Sequence, residues 1–332
     1  MKNKKTILIL ILFFVILIII LYNSFKSRIY ERNYSYFDTY INVKIYSNSS
    51  KKANEALDEI DKIYSEYHKL TDRYNSYQGI TNLYTINNNV LNEEYLKIDK
   101  KLYELIEYGI NMYKWSNGKV DISMGNVIDI WKGYREAGIS IPTIEELKYV
   151  NYNNINEIEL KDNKIKNNNL NIDLGSISKG FATKKVGKYL ESIGLKKYLI
   201  NAGGNVLTGE SYKKDKYKIG LENPNNQSDI YKIIKVENEA VVTSGGYLRY
   251  YEYNGTKYHH IIDPDTLFPA NNVKSVTVIT KDSAYADFLS TYLFLLPLED
   301  GKKYVDELDN VEAIWYLSDD TTVISKGFSK YE

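Results

Sequence analysis

The chain has 332 residues, and its Lys+Arg and Asp+Glu totals are both 43, so the formal charge is zero and no basic excess points to nucleic acid as a main partner. Cysteine is absent, which removes disulfides, thiolate metal sites, a cysteine nucleophile and a lipid-modified cysteine together. The length allows one or two domains.

The first feature along the chain is an apolar run from Ile7 to Leu21, preceded by Lys2, Lys4 and Lys5 and followed by Lys26 and Arg28. With Thr6 and Tyr22 added it only just reaches the lower end of spanning length, about 17 residues. An uncleaved anchor and a cleaved signal peptide therefore compete. The residues after Leu21 carry no small-x-small cleavage site, which favours an anchor over residues 1–28. The basic N-terminus then lies inside the cell and residues 29–332 outside, although the charges after the run weaken that signal.

From residue 29 onward the chain reads as one body, with 5 prolines in all and no long low-complexity linker. Thr39 to Tyr46 alternates Ile41, Val43 and Ile45 with Asn42 and Lys44, the period of a half-buried strand. Ala53, Ala56, Leu57, Ile60 and Ile63 or Tyr64 recur at helical spacing, as do Leu102, Leu105, Ile106, Ile110 and Tyr113. Further helices are expected at Thr183–Ile193, closed by Gly194, and at Ala284–Leu295. Strands are expected at 198–202, 217–221, 273–280 and 311–317. The pattern is α+β, with antiparallel sheet packed against helices.

Five segments carry candidate chemistry. In Asn171–Ala182 a strand end runs through Gly175 and Ser176 into a helix. Free backbone N–H groups and Lys179 there suit a phosphate, and an ordinary Ser N-cap with a solvated lysine is the competing reading. Tyr198–Asn205 and Val241–Tyr247 are strands ending in paired glycines, which either admit a ligand close to the backbone or make plain turns. His259-His260-Ile-Ile-Asp263-Pro264 holds two of the three histidines. Neighbours on extended chain point to opposite faces, so only one of them serves a site, either as a proton acceptor or as a structural group ahead of a turn. Last, Asp287 and Thr291 stand four residues apart on a helical pattern and share one face. They suit Mg²⁺, which retains waters and borrows phosphate oxygens; alternatively Thr291 bonds back to the Asp287 carbonyl while Asp287 caps the helix.

In this order, together with Phe37-Asp-Thr39, Tyr77, Leu83–Asn87, Gly118-Lys-Val-Asp121 and Gly125, the segments resemble the ApbE family of FAD:protein FMN transferases over about residues 36 to 328. The resemblance implies a T-fold-related α+β catalytic body over residues 29–332. It also implies FAD as substrate, Mg²⁺ on its pyrophosphate, and transfer of FMN to a Thr or Ser hydroxyl of an extracytoplasmic redox protein with release of AMP. It assigns Asp287 and Thr291 side chains and the Ser176 carbonyl to the metal, and His260, with Asp287, to catalysis. Flavin contacts fall to Phe37, Tyr77, Lys119, Val120, Asp121, Asp173, Lys179, Asn201, Gly203, Gly204, Ser244 and Gly245. An FAD pyrophosphatase and a non-catalytic flavin-binding protein are the competing functions. Against the family pattern, Phe37-Asp38 stands for Met-Gly, Asn205 for an acidic residue and Leu267 for glycine, and the apolar run stands where many relatives carry a lipobox cysteine.

Overall fold

A computed structural model describes residues 13–14, 27–89, 94–152, 154–212 and 214–332. The expected anchor over residues 1–28 lies almost wholly outside these. Among the described residues no helix is long and apolar enough to cross a membrane.

The frame is an eight-stranded sheet in which every neighbouring pair is antiparallel. Its strands are β1 (Arg28–Tyr36), β2 (Thr39–Ser47), β3 (Tyr198–Ala202), β4 (Asn205–Thr208), β5 (Ala240–Gly245), β6 (Ser275–Thr280), β7 (Glu312–Tyr316) and β8 (Thr322–Ile324). They lie side by side in chain order, so the large segments 48–197 and 246–274 are excursions from a simple meander. The alternation expected in β2 is present, with Ile41, Val43 and Ile45 fully buried. β6 is buried at all six positions, as a strand covered on both faces must be.

Helices α1 (Ser50–Thr71), α2 (Lys100–Trp115), α3 (Gly125–Ala137), α4 (Ser178–Ser192) and α5 (Ser283–Leu295) surround the main core. α1 begins where Ser49 accepts the Lys52 N–H, and it buries Ala53, Ala56, Leu57, Ile60, Tyr64, Tyr67 and Leu70, the helical stripe seen in the sequence. α5 buries eleven of its thirteen residues and packs on α4, β5 and β6. The other face of the sheet is covered by a hairpin of Tyr217–Asn223 and Asn226–Val236, whose Leu221, Ile234 and Val236 meet Val241, Ile279 and Phe328.

α4 starts at Ser178, five residues before the expected Thr183. The reason is Gly180, which looks like a loop residue but lies inside the helix. A Cβ there would sit 2.4 Å from both the Asp287 Cβ and the Ser283 carbonyl oxygen, so only glycine lets α4 and α5 approach this closely. The far end is as expected. Gly194 has φ +74°, and the Leu195 N–H reaches back to the Leu190 carbonyl at 2.8 Å, a Schellman closure.

Candidate active site

Where the β1–β2 turn, the 119–124 segment, the 173–179 loop, the 203–205 turn and α5 meet, they enclose a cavity of about 1060 Å³. All the residues assigned above to catalysis, metal or flavin line it, from Phe37 to Thr291. His259 does not.

One corner is built by α4 and α5. Asp287 is 5% exposed, and one of its carboxylate oxygens accepts the Gly180 N–H at 2.7 Å. Ile177, at the N-cap of α4, offers no side-chain cap, so Asp287 supplies from another helix the negative group that a helix start favours. It does not cap its own helix, where Asp282 accepts from Ala284 and Tyr285. Burial raises the Asp287 pKa, opposed by the Lys179 charge and the Gly180 N–H. Asn205, fully buried, accepts the Ser283 hydroxyl through Oδ1 at 2.8 Å, which turns its amide Nδ2 toward the Gly180 and Asp287 side. That Nδ2 has no partner within hydrogen-bonding distance, though it lies near enough to help hold the Asp287 charge. Thr291 Oγ1 lies 3.4 Å from both the Asp287 carbonyl and Ser244 Oγ, and Ser244 Oγ is 2.8 Å from Ser290 Oγ. The back-bond weighed from sequence is thus present, but long.

Among the described residues no group of three His, Cys, Asp or Glu can hold a metal alone. The side-chain donors at this corner are one buried carboxylate and one hydroxyl, both oxygen, and Ser176 lines the same cavity. Such a set fits a hard cation that fills its shell with water and substrate phosphate oxygens, and does not fit a closed protein cage.

The two histidines separate as extended chain requires. His259 Nδ1 accepts the Ile261 N–H, so its Nε2 carries the proton and donates to the Ala270 carbonyl at 2.5 Å; the ring lies edge-on to Phe294. It is structural. His260 faces the cavity with Nδ1 3.3 Å from the Arg249 carbonyl. A carbonyl only accepts, so Nδ1 carries the proton and Nε2 keeps its lone pair. Desolvation is the main cause, with Arg249 and Lys179 adding positive charge nearby, and it pushes the His260 pKa down to about 3, leaving the ring neutral at physiological pH.

The flavin-assigned residues are engaged in specific ways. Phe37 and Asp38 both have φ 54°, making a tight turn of the mirror-image kind at the cavity mouth. A bulky residue in that region costs about 1–2 kcal/mol, and Phe37 is steadied there by edge contacts to Tyr64 and His68. Tyr77 donates its hydroxyl to Asp72 at 2.8 Å. Val120 is buried, and Asn201 Oδ1 accepts the Gly204 N–H within the Gly203–Gly204 turn. Asp121 accepts from the Ser123 N–H and hydroxyl through one oxygen, while the other is buried without a partner. Lys119, in the cavity lining, also bridges Asp263 at 3.0 Å and Asp265 at 2.6 Å. Asp173 is likewise committed to the protein. One oxygen accepts the Gly175 N–H at 2.8 Å and the other accepts from Arg73 at 3.0 Å.

Arg73, which the sequence did not single out, is 8% exposed in the cavity wall. Its guanidinium reaches Asp173 through one terminal nitrogen and, through the other, Asp129 at 2.7 Å, Asn171 at 2.8 Å and the Gly125 carbonyl at 3.1 Å. Burial works against its charge, but Asp173 and Asp129 more than offset this and raise its pKa. Asn87 was noticed only as part of a motif. Its side chain pairs with both the N–H and the carbonyl of Ile172 at 2.9 Å, standing in for a neighbouring strand. No periodicity marks either residue, since each acts on chain about a hundred positions away.

The ApbE family model matches residues 37–315 of this chain. The FAD:protein FMN transferase of Vibrio cholerae is 29% identical over 280 residues, covering 82% of this chain and 81% of its own length. That of Haemophilus influenzae is 27% identical over 296 residues, covering 86% and 84%. Among solved structures, the ApbE protein of Thermotoga maritima superposes with a TM-score of 0.81 at 25% identity, covering 92% of this chain and 99% of its own.

Proposed function

This chain belongs to the ApbE family, and from that premise we propose that it is a FAD:protein FMN transferase, moving FMN from FAD to a Ser or Thr hydroxyl of an acceptor protein and releasing AMP, with Mg²⁺ bound at Asp287, Thr291 and Ser176. The observation that carries this reading is the meeting of Asp287, Thr291, Lys179 and His260 at one cavity. Each has an innocent explanation alone; together they supply what phosphoryl transfer needs, which is positioning and charge stabilisation.

In this reaction the acceptor hydroxyl oxygen attacks the FMN phosphorus. Its proton passes to His260 Nε2. The bond from that phosphorus to the bridging oxygen breaks, and AMP leaves with the electron pair. Burial is the main reason His260 is a weak base in the free protein; the smaller part that comes from neighbouring positive charge is offset when an anionic pyrophosphate enters, so its basicity rises as substrate binds. Lys179, close enough to act on both Asp287 and His260, faces the same phosphates. Mg²⁺, when bound, neutralises phosphate charge. Gly203, Gly204 and Gly245 keep backbone close to the flavin. The basic-then-apolar N-terminus supports an anchored enzyme whose catalytic body and redox-protein acceptor lie on the extracytoplasmic side.

The test is to incubate the full chain with FAD, Mg²⁺ and an acceptor, then measure AMP and the acceptor's mass. An FMN-sized gain on the acceptor with matching AMP is expected. AMP with free FMN and no labelling would instead make the chain an FAD pyrophosphatase, and retained intact FAD a flavin-binding protein.

A further inference from the structure

The loop that carries Ser176 and Lys179 has no regular strand to rest on, since residues 171–177 lie between the short strand Lys164–Lys166 and α4. It is held instead by single contacts. The Gly125 N–H donates to the Asn171 carbonyl at 2.9 Å, the Asp173 N–H donates to the Ile122 carbonyl at 2.8 Å, and Asn87 brackets Ile172. Arg73 takes hold of this segment twice, at Asn171 and Asp173, and ties it to Asp129 and the Gly125 carbonyl at the start of α3.

The charge balance of this cluster argues against a purely structural purpose. One buried guanidinium faces two carboxylates, so the cluster is left with excess negative charge beside a cavity proposed to take an anionic substrate. A core wanting only stability is served as well by apolar side chains of similar volume. What the ionic arrangement adds is direction. The planar fork of Arg73 fixes the Asp173 carboxylate through one oxygen, and the other oxygen closes the turn at the Gly175 N–H. The sequence of contacts therefore runs from Arg73 through Asp173 to Gly175, and the next residue is Ser176.

We infer that Arg73 is a positioning residue for FAD binding, setting the 173–179 loop through Asp173 without itself touching the reacting atoms. The inference rests on the proposed use of this cavity for FAD. Lysine at this position keeps the charge but not the fork, so it holds Asp173 or the Asp129–Asn171–Gly125 group, not both.

The experiment uses the full-length chain with Arg73→Lys and, as comparison, Asp129→Asn, which leaves the Arg73–Asp173 link intact. FAD affinity is measured by titration with Mg²⁺ present, KM and kcat by AMP release, and folding by thermal melting. Arg73→Lys is expected to raise KM and Kd for FAD about 10- to 100-fold, as misplacement of a binding group does, with kcat at saturating FAD within about 3-fold. Asp129→Asn is expected to lower the melting temperature while KM stays within about 3-fold. If Arg73→Lys does not fold, Arg73→Met in the Asp129→Asn background removes the same link while leaving one carboxylate rather than two without its partner, and is expected to give the same split. Unchanged KM in a folded link-breaking variant, or KM rising equally in Asp129→Asn, would overturn the inference. If the unmodified chain itself binds no FAD, the proposed function fails; if it binds FAD and the link-breaking variants bind equally well, only the positioning role fails.

Discussion

The α4–α5 corner and the Arg73 cluster are two walls of one cavity, and they are written into the sequence in opposite ways. On the first, Asp287 and Thr291 stand one helical turn apart, so spacing alone puts them on one face. On the second, Arg73 meets partners 52, 56, 98 and 100 residues away. No local pattern can announce that meeting. The walls also differ in energy. The corner holds a carboxylate whose charge is disfavoured by burial and only partly offset by Lys179 and the Gly180 N–H, whereas the two carboxylates of the Arg73 cluster share one buried guanidinium.

That contrast is sharpened first by removing Asp287. Asp287→Ala is expected to reduce AMP release about 10³-fold or more at ordinary Mg²⁺, as loss of a principal charge-stabilising group does, while the lost cap on the Gly180 N–H costs about 1 kcal/mol of stability. Turnover close to that of the unmodified chain would break the assignment of this wall. Arg73→Met should behave in the opposite sense, costing about 3 kcal/mol of stability by leaving two carboxylates unpaired. The figure is at the low end for a buried pair because the Asp129 side chain keeps 41% of its exposure and therefore its water. Denaturant titration measures it, and an unaltered midpoint would show that the cluster contributes nothing to the fold.

His260 lines the same cavity, and His260→Gln is expected to lower kcat about 10²-fold. Because its folded pKa is depressed, the ring is already neutral above that low value, so protonation removes the base only in strong acid. The profile of kcat/KM, which reports the free enzyme, should therefore pass level through pH 6.5 with no inflection from this residue. A limb near pH 6.5 that disappears in His260→Gln would contradict this. The smallest effect expected is at the helix crossing. Gly180→Ala should cost about 1–3 kcal/mol by overpacking against Asp287 and Ser283, read as a lowered melting temperature; an unchanged value would mean the two helices separate freely.

The frame of the fold was legible because periodicity is local. β2, the stripe on α1 and the glycine-closed end of α4 follow directly from residues within a few positions of one another. The start of α4 was obscured because Gly180 serves a contact with α5, more than a hundred residues away. The hairpin strand Asn226–Val236 was missed for a related reason. Its first five residues are exposed and largely polar, and its apolar set is completed only against β5 to β7. The same limit applied to charges in the site. Lys119 and Asp173 read from sequence as flavin contacts, but the bonds that fix them, from Lys119 to Asp263 and Asp265 and from Arg73 and the Gly175 N–H to Asp173, involve residues that no local pattern links to them. Backbone geometry imposed by glycine pairs and the opposite facing of His259 and His260 were readable, because they depend on adjacent residues only.

The most direct measurement is the intact mass of an acceptor redox protein after incubation with the chain, FAD and Mg²⁺, alongside the AMP released. The account predicts acceptor heavier by one FMN less water, one AMP for each molecule modified, and neither product with Asp287→Ala. Acceptor of unchanged mass while FAD is split to AMP and free FMN would contradict the transfer, and labelling that persists in Asp287→Ala would contradict the role given to this wall.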